Sequence, residues 1–118
     1  MKEISPQLQN QIQQYQQLQQ QLQVLGSQRL QHEAKLREID NTLEELAKLP
    51  KDSTVYKSIG VLLVKADDRE ALKKELEEHK ETLTIRVKSI QKQEKALGER
   101  FEDLQQKIQT ALGGPQAG

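Results

Sequence analysis

Apolar residues recur along this chain with two different periods. From Leu8 a heptad can be written in which Leu8, Tyr15, Leu22, Arg29, Leu36 and Leu43 share one core position, and Gln11, Leu18, Leu25, His32, Ile39 and Leu46 fall three residues after each of them. All but Arg29, Gln11 and His32 are apolar or aromatic, which is the signature of a coiled-coil helix. A second stripe runs through Leu83, Val87, Ile90, Glu94, Leu97, Phe101, Leu104, Ile108 and Ala111 and continues towards the middle of the chain through His79, Leu76 and Leu72. Between the stripes the period changes. In VYKSIGVLLVK, Val55 to Lys65, β-branched and aromatic residues cluster before Gly60 and an unbroken apolar run, Val61 to Val64, follows it. Polar, turn-prone residues bound both sides, so this stretch predicts a β-hairpin.

The breaks between these elements are also written in the sequence. Ser5-Pro6 is a helix start, because Ser caps free N–H groups and Pro is tolerated in a first turn. Pro50 biases Leu49 away from helical dihedrals and stops the first helix. Asp67 followed by Glu70 has the form of a capping box that opens the second, and Gly113-Gly114-Pro115 closes it. The reading is a single domain spanning residues 1–118. A coiled-coil helix over 5–49 and another over 68–112 flank linkers and hairpin at 50–67, and 113–118 form a flexible tail.

The two stripes match when the chain is folded back. Leu8 then faces Ala111, Leu18 faces Phe101, Leu22 faces Leu97 and Leu43 faces Leu76. The same fold-back point puts the hairpin turn at Ile59-Gly60, pairing Ser58 with Val61 and Tyr56 with Leu63. The fold class is therefore mainly α, a long antiparallel two-helix coiled coil with one central β-hairpin. Each helix is roughly 60–70 Å long at about 1.5 Å per residue.

Composition changes this picture mainly by exclusion. The apolar share of 34% with 3% aromatics is too small for an ordinary globular core. Eighteen basic and eighteen acidic residues cancel, so nothing marks nucleic acid or an anionic membrane as a partner. The lack of cysteine removes disulfides and thiolate chemistry and fits a reducing compartment. No apolar run approaches a membrane span and MKEISPQ has no signal-peptide core, so the expected location is cytoplasmic.

No constellation points to an enzyme, a metal or a cofactor. Gly60 stands outside any phosphate-binding loop, and the two histidines, His32 and His79, lie far apart in the register. Adjacent acids such as Glu44-Glu45 point to different helix faces. Arg29 and His32 interrupt the first stripe near Glu94. They form either a proton switch or polar binding site, or a register-setting polar layer in which Arg29 snorkels or pairs with Glu94. The second reading is preferred, and on it Arg29→Leu stabilises the helix pair while loosening its register. Gly26 and Gly98 are either bending points or tolerated substitutions.

Two places have more apolar surface than one chain can cover. Leu8 and Ile12 lie level with Ile108 and Leu112 near the free helix ends, with Leu104 and Phe101 deeper, and two helices cannot enclose such residues on all sides. The hairpin is the sharper case. Val61, Leu62, Leu63 and Val64 put apolar side chains on both faces of a strand, yet a lone two-stranded hairpin is marginal in water and has open edges. Hairpins from several chains sharing one sheet or barrel would resolve this.

The order of a Gln-rich helix, a Leu-Pro-x-Asp linker, V-Y-K-x-[IV]-G-x-L-[LI]-V-K and a Lys/Glu-rich coil with QKQE and KIQ-A-L resembles the β-type subunit of prefoldin, and among those the archaeal ones. The short connector with one hairpin resembles the β-type, since α-type subunits carry a longer insertion with two. The resemblance implies an α2β4 hexamer of prefoldin α subunits and other β copies, its hairpins forming an intersubunit β-barrel. It also implies a chaperone that holds unfolded proteins without ATP and passes them to a group II chaperonin. On this implication Val55, Tyr56, Ile59, Val61, Leu62, Leu63 and Val64 form the oligomer interface, with Gly60 in the turn. Leu8, Ile12, Phe101, Leu104, Ile108 and Leu112 face the client. The alternative from the residues alone is a structural coiled-coil adaptor or scaffold with no client-holding activity.

Overall fold

The structure, a computed structural model, describes residues 4–113. It contains four elements in the order α1 (Pro6–Lys48), β1 (Tyr56–Ile59), β2 (Leu62–Lys65) and α2 (Arg69–Ala111). Two long helices therefore flank one central antiparallel hairpin, as the two periodicities predict. The chain divides into two compact units, one of Met1–Leu30 with Lys88–Gly118 and one of Gln31–Val87.

Each helix begins on a side-chain cap. The Leu8 N–H donates to Ser5 Oγ at 3.1 Å and the Gln9 N–H to the Ser5 carbonyl at 2.9 Å, so Ser5 is the cap and Pro6 the first helical residue. At α2 the Ala71 N–H donates to Asp68 Oδ1 at 3.0 Å and the Leu72 N–H to the Asp68 carbonyl at 3.1 Å. The cap is thus Asp68 rather than Asp67. Only the residue next to the first turn can offer a carboxylate to the third helical N–H, and from Asp68 that residue is Ala71, which leaves no Glu partner and no capping box.

The last turn of α1 tightens through a Leu49 N–H to Leu46 carbonyl contact of 3.4 Å, and a turn closed by Ser53 N–H to the Pro50 carbonyl at 3.0 Å follows. Gly113, at φ 97°, takes the left-handed conformation that ends α2 just beyond Ala111. Residues 114–118 of the expected tail lie outside the described residues.

Among the described residues, the seven buried apolar ones all lie on the two predicted stripes: Leu8, Leu18 and Ile90 in the first unit, and Ile39, Leu46, Leu83 and Val87 in the second. In the first unit Tyr15 stacks on Phe101 with ring centroids 4.4 Å apart and planes at 19°. Arg29 Nε donates to Glu94 Oε1 at 2.7 Å. Rising numbers on α1 meet falling numbers on α2, so the segments run antiparallel. The second unit shows the same sense, with Lys80 Nζ 2.6 Å from Asp40 Oδ1 and Arg69 reaching the end of α1.

Candidate functional site

The hairpin register pairs Tyr56 with Lys65, Lys57 with Val64, Ser58 with Leu63 and Ile59 with Leu62. The turn is therefore Gly60-Val61, one residue later than the fold-back argument predicts. Conformation decides this. A two-residue turn at Ile59-Gly60 gives its first central position to Ile59, whereas a tight hairpin turn wants φ > 0 there, which is strained for a β-branched residue. Gly60, at φ 58°, meets that demand, and a glycine in the first central position is the mark of a type II′ turn.

Moving the turn by one residue leaves the faces of the strands unchanged. Side chains alternate along a strand, so Val55, Lys57, Ile59, Leu62 and Val64 share one face, and Tyr56, Ser58, Leu63 and Lys65 the other. The Lys57 face turns towards α2. Lys57 Nζ donates to both carboxylate oxygens of Glu75, at 2.7 and 2.9 Å, and Val55 and Lys57 are half-buried. The opposite face is open, with Tyr56 exposed and Leu63 74% exposed, and Val61 at the turn is 102% exposed. Ile59, Leu62 and Val64 are exposed as well. The sheet of the described residues has these two strands alone, so both outer edges offer unpaired backbone groups.

Six of the seven expected interface residues thus lie on an exposed hairpin, and Val55 anchors its base. Fully burying a Leu or Val side chain gains about 1.5–3 kcal/mol. The exposed apolar side chains of this hairpin leave most of that gain unrealised among the described residues.

In the other unit the expected client-facing residues fare differently from one another. Leu8 is 7% exposed, closed into the seam, while Leu112 just past α2 is 62% exposed. Ile12, Phe101, Leu104 and Ile108 are half-buried, so each keeps part of its surface in the seam and part outside it. Leu8 and Gln11 line an open hollow with Asp103, Lys107, Thr110 and Ala111.

Arg29 and Glu94 form the polar layer expected at that level. The pair is partly buried, at 28% and 22% side-chain exposure. A Cβ added at Gly26 would lie 3.7 Å from Glu94 Oε2, an ordinary contact distance, so the glycine leaves room beside the pair without being forced by it. His32 is half-buried and His79 exposed.

Two contacts escape the sequence reading. The Arg69 guanidinium donates to the carbonyls of Pro50 at 2.7 Å, of Leu49 at 3.0 Å and of Leu46, placing a cation on the negative end of the α1 dipole. The signal for it is a basic residue at the first position of α2, where its own helix dipole disfavours it. Lys57, a charge between Val55 and Ile59 on a hairpin face otherwise apolar, is the corresponding signal for the tie to Glu75.

Two long helices joined by an exposed two-stranded hairpin define the class of protein, a helical hairpin with one small central sheet. A family profile described as prefoldin subunit matches residues 9–114. The chain is 52% identical to the prefoldin subunit beta of Archaeoglobus fulgidus over 118 residues, covering all of both chains. It is 48% identical to that of Methanosarcina acetivorans over 111 residues, 94% of each. The crystal structure of the prefoldin beta subunit from Thermococcus strain KS-1 superposes with a TM-score of 0.83 at 38% identity, covering 98% of this chain and 100% of that one. The chain belongs to the prefoldin subunit family, among its β-type members. No helix among the described residues is long and apolar enough to cross a membrane.

Proposed function

We propose that this chain is the β-type subunit of an ATP-independent holdase of the cytoplasm, an α2β4 hexamer that captures unfolded polypeptides at its helix ends and delivers them to a group II chaperonin. The observation that carries this reading is the hairpin, apolar on both faces and open at both edges, in a chain of the prefoldin family. Strands from α subunits and from other β copies complete it through Tyr56, Ile59 and Val61 to Val64, with Val55 at the base. Ile12, Phe101, Leu104, Ile108 and Leu112 offer the client part of their surface, and Leu8 joins them when the helix ends part. Many weak apolar contacts from several arms add to useful avidity without a specific pocket. No catalytic step, metal or cofactor takes part.

The test mixes the full chain with an α subunit and measures mass in solution. The product is then added to a denatured, aggregating protein with no nucleotide present. A defined hetero-oligomer that suppresses light scattering supports the reading. A defined oligomer with no effect on scattering makes the chain a coiled-coil adaptor instead.

A further inference from the structure

Where α1 ends and α2 begins, within the unit of Gln31–Val87, lies an open hollow of mixed chemistry. Its apolar part includes Leu46, which is buried, Ala47, and Leu49, which is 41% exposed. Its charged part is mostly basic: Lys51 of the linker and Arg69 and Lys73 of α2 stand against one acid, Glu70.

The basic residues are unevenly explained by the fold. Arg69 and Lys73 lie four apart near the start of α2. That spacing sets like charges side by side on one helix face, near the end where the dipole disfavours cations, and both effects cost stability. The carbonyls of Leu49 and Pro50 account for Arg69. Nothing comparable accounts for Lys73. Among the described residues neither Lys73 nor Lys51 makes an ion pair or a side-chain hydrogen bond, although Glu70 stands only one helical turn from Lys73. Local rules broken without a gain inside the chain mark functional positions.

We propose that this hollow docks a short acidic segment of a partner protein, seating one leucine-sized side chain on Leu46, Ala47 and Leu49 and setting carboxylates beside Lys51 and Lys73. The complementarity has two parts. Three cations against one acid attract carboxylates, and Arg69 keeps its full charge because its acceptors are neutral carbonyls. Covering Leu49 gains free energy that a polyanion without apolar groups cannot supply. Glu70 in the lining also repels a continuous run of phosphates, which disfavours nucleic acid. The residues proposed for client contact all belong to the other unit, so this docking site does not depend on the holdase reading.

The experiment uses the full-length chain and fluorescein-labelled octapeptides, with binding read by fluorescence anisotropy. The first peptide is built from Glu, Asp and Ser around one Leu. The second replaces its acids by Gln and Asn, and the third replaces its Leu by Ser. The first should bind about fivefold more tightly than the second, the scale of two exposed ion pairs, and more tightly than the third. Raising NaCl from about 0.05 to about 0.5 M should remove most of the difference between the first two. Lys51→Glu with Lys73→Glu should weaken binding of the first peptide about tenfold. Lys35→Glu with Lys74→Glu makes the same change of net charge outside the hollow and should leave binding within about twofold. All four lysines are exposed, and unchanged circular dichroism confirms that the helices are intact.

Loss of peptide binding in Lys51→Glu with Lys73→Glu, while suppression of client aggregation is unchanged, supports a docking site separate from holdase activity. No binding by the parent chain, equal binding of the acidic and neutral peptides, or equal loss in the two double variants overturns it. Equal binding of the first and third peptides also overturns it and leaves a site for anions alone, nucleic acid included. A fall in oligomer mass in Lys51→Glu with Lys73→Glu overturns it in favour of a neighbouring subunit as the occupant.

Discussion

Arg29 and Glu94 illustrate how one contact changes the outcome expected of a substitution. Read from the heptad alone, Arg29 is a polar interruption whose replacement by Leu stabilises the helix pair. With its Nε 2.7 Å from Glu94 Oε1 and both side chains partly buried, the single change strands a carboxylate. Arg29→Leu is therefore expected to lower stability by about 1–2 kcal/mol, between the limits for exposed and buried pairs. Arg29→Leu with Glu94→Leu should restore or exceed the original stability, because an apolar pair in a seam avoids the desolvation of both charges. Urea denaturation of the two variants beside the parent checks this. A double variant less stable than the single would refute it.

At the scale of elements, the hairpin is the proposed assembly surface and Arg69 ties the second helix to the end of the first. Leu63→Asp places a charge on the fully open face and should prevent completion of the sheet while leaving both helices formed. Mass in solution together with circular dichroism reads both halves of that prediction, and a normal hetero-oligomer would count against the interface. Arg69→Ala removes a cation from three main-chain carbonyls and should cost about 1–2 kcal/mol, given the worth of charge-assisted hydrogen bonds at a partly exposed site. Arg69→Lys should recover only part of the loss, since an ammonium lacks the planar fork that reaches several acceptors at once. Thermal melts of the three proteins compare them directly.

The helices and their stripes were legible because Leu, Ile and Val recur at helical spacing and Ser5, Pro6 and Pro50 punctuate them. The turn was misplaced by one residue because the fold-back argument treats both linkers as equal. Seven residues, 49–55, precede β1, while three, 66–68, follow β2, and the Pro50 to Ser53 turn takes up the difference. Contacts of long side chains with main-chain atoms, such as those of Arg69, leave no periodic trace in a sequence.

For the molecule as a whole, the division of labour predicted is that assembly and client contact can be separated. Deleting residues through Ile12 and from Phe101 onward should leave the hetero-oligomer intact, since the hairpin of residues 56–65 is untouched, and should weaken protection of an unfolding client. Light scattering with a denatured client measures the second effect and mass the first. Undiminished protection would exclude the helix ends as the client surface. The residues proposed for client contact were only half legible. Apolar spacing identifies Leu8, yet it cannot distinguish a residue closed in the seam from one such as Leu112 left outside it.

The Arg69 contact has one more consequence, for how such a chain can change over generations. Its acceptors at Leu46, Leu49 and Pro50 are all carbonyls, and every residue type supplies one. The latch is therefore blind to the side chain at position 49 and sensitive to the number of residues between the helix end and the hairpin. Insertions or deletions between Leu46 and Pro50 are the changes this joint should tolerate least, even where substitutions at Leu49 pass unnoticed.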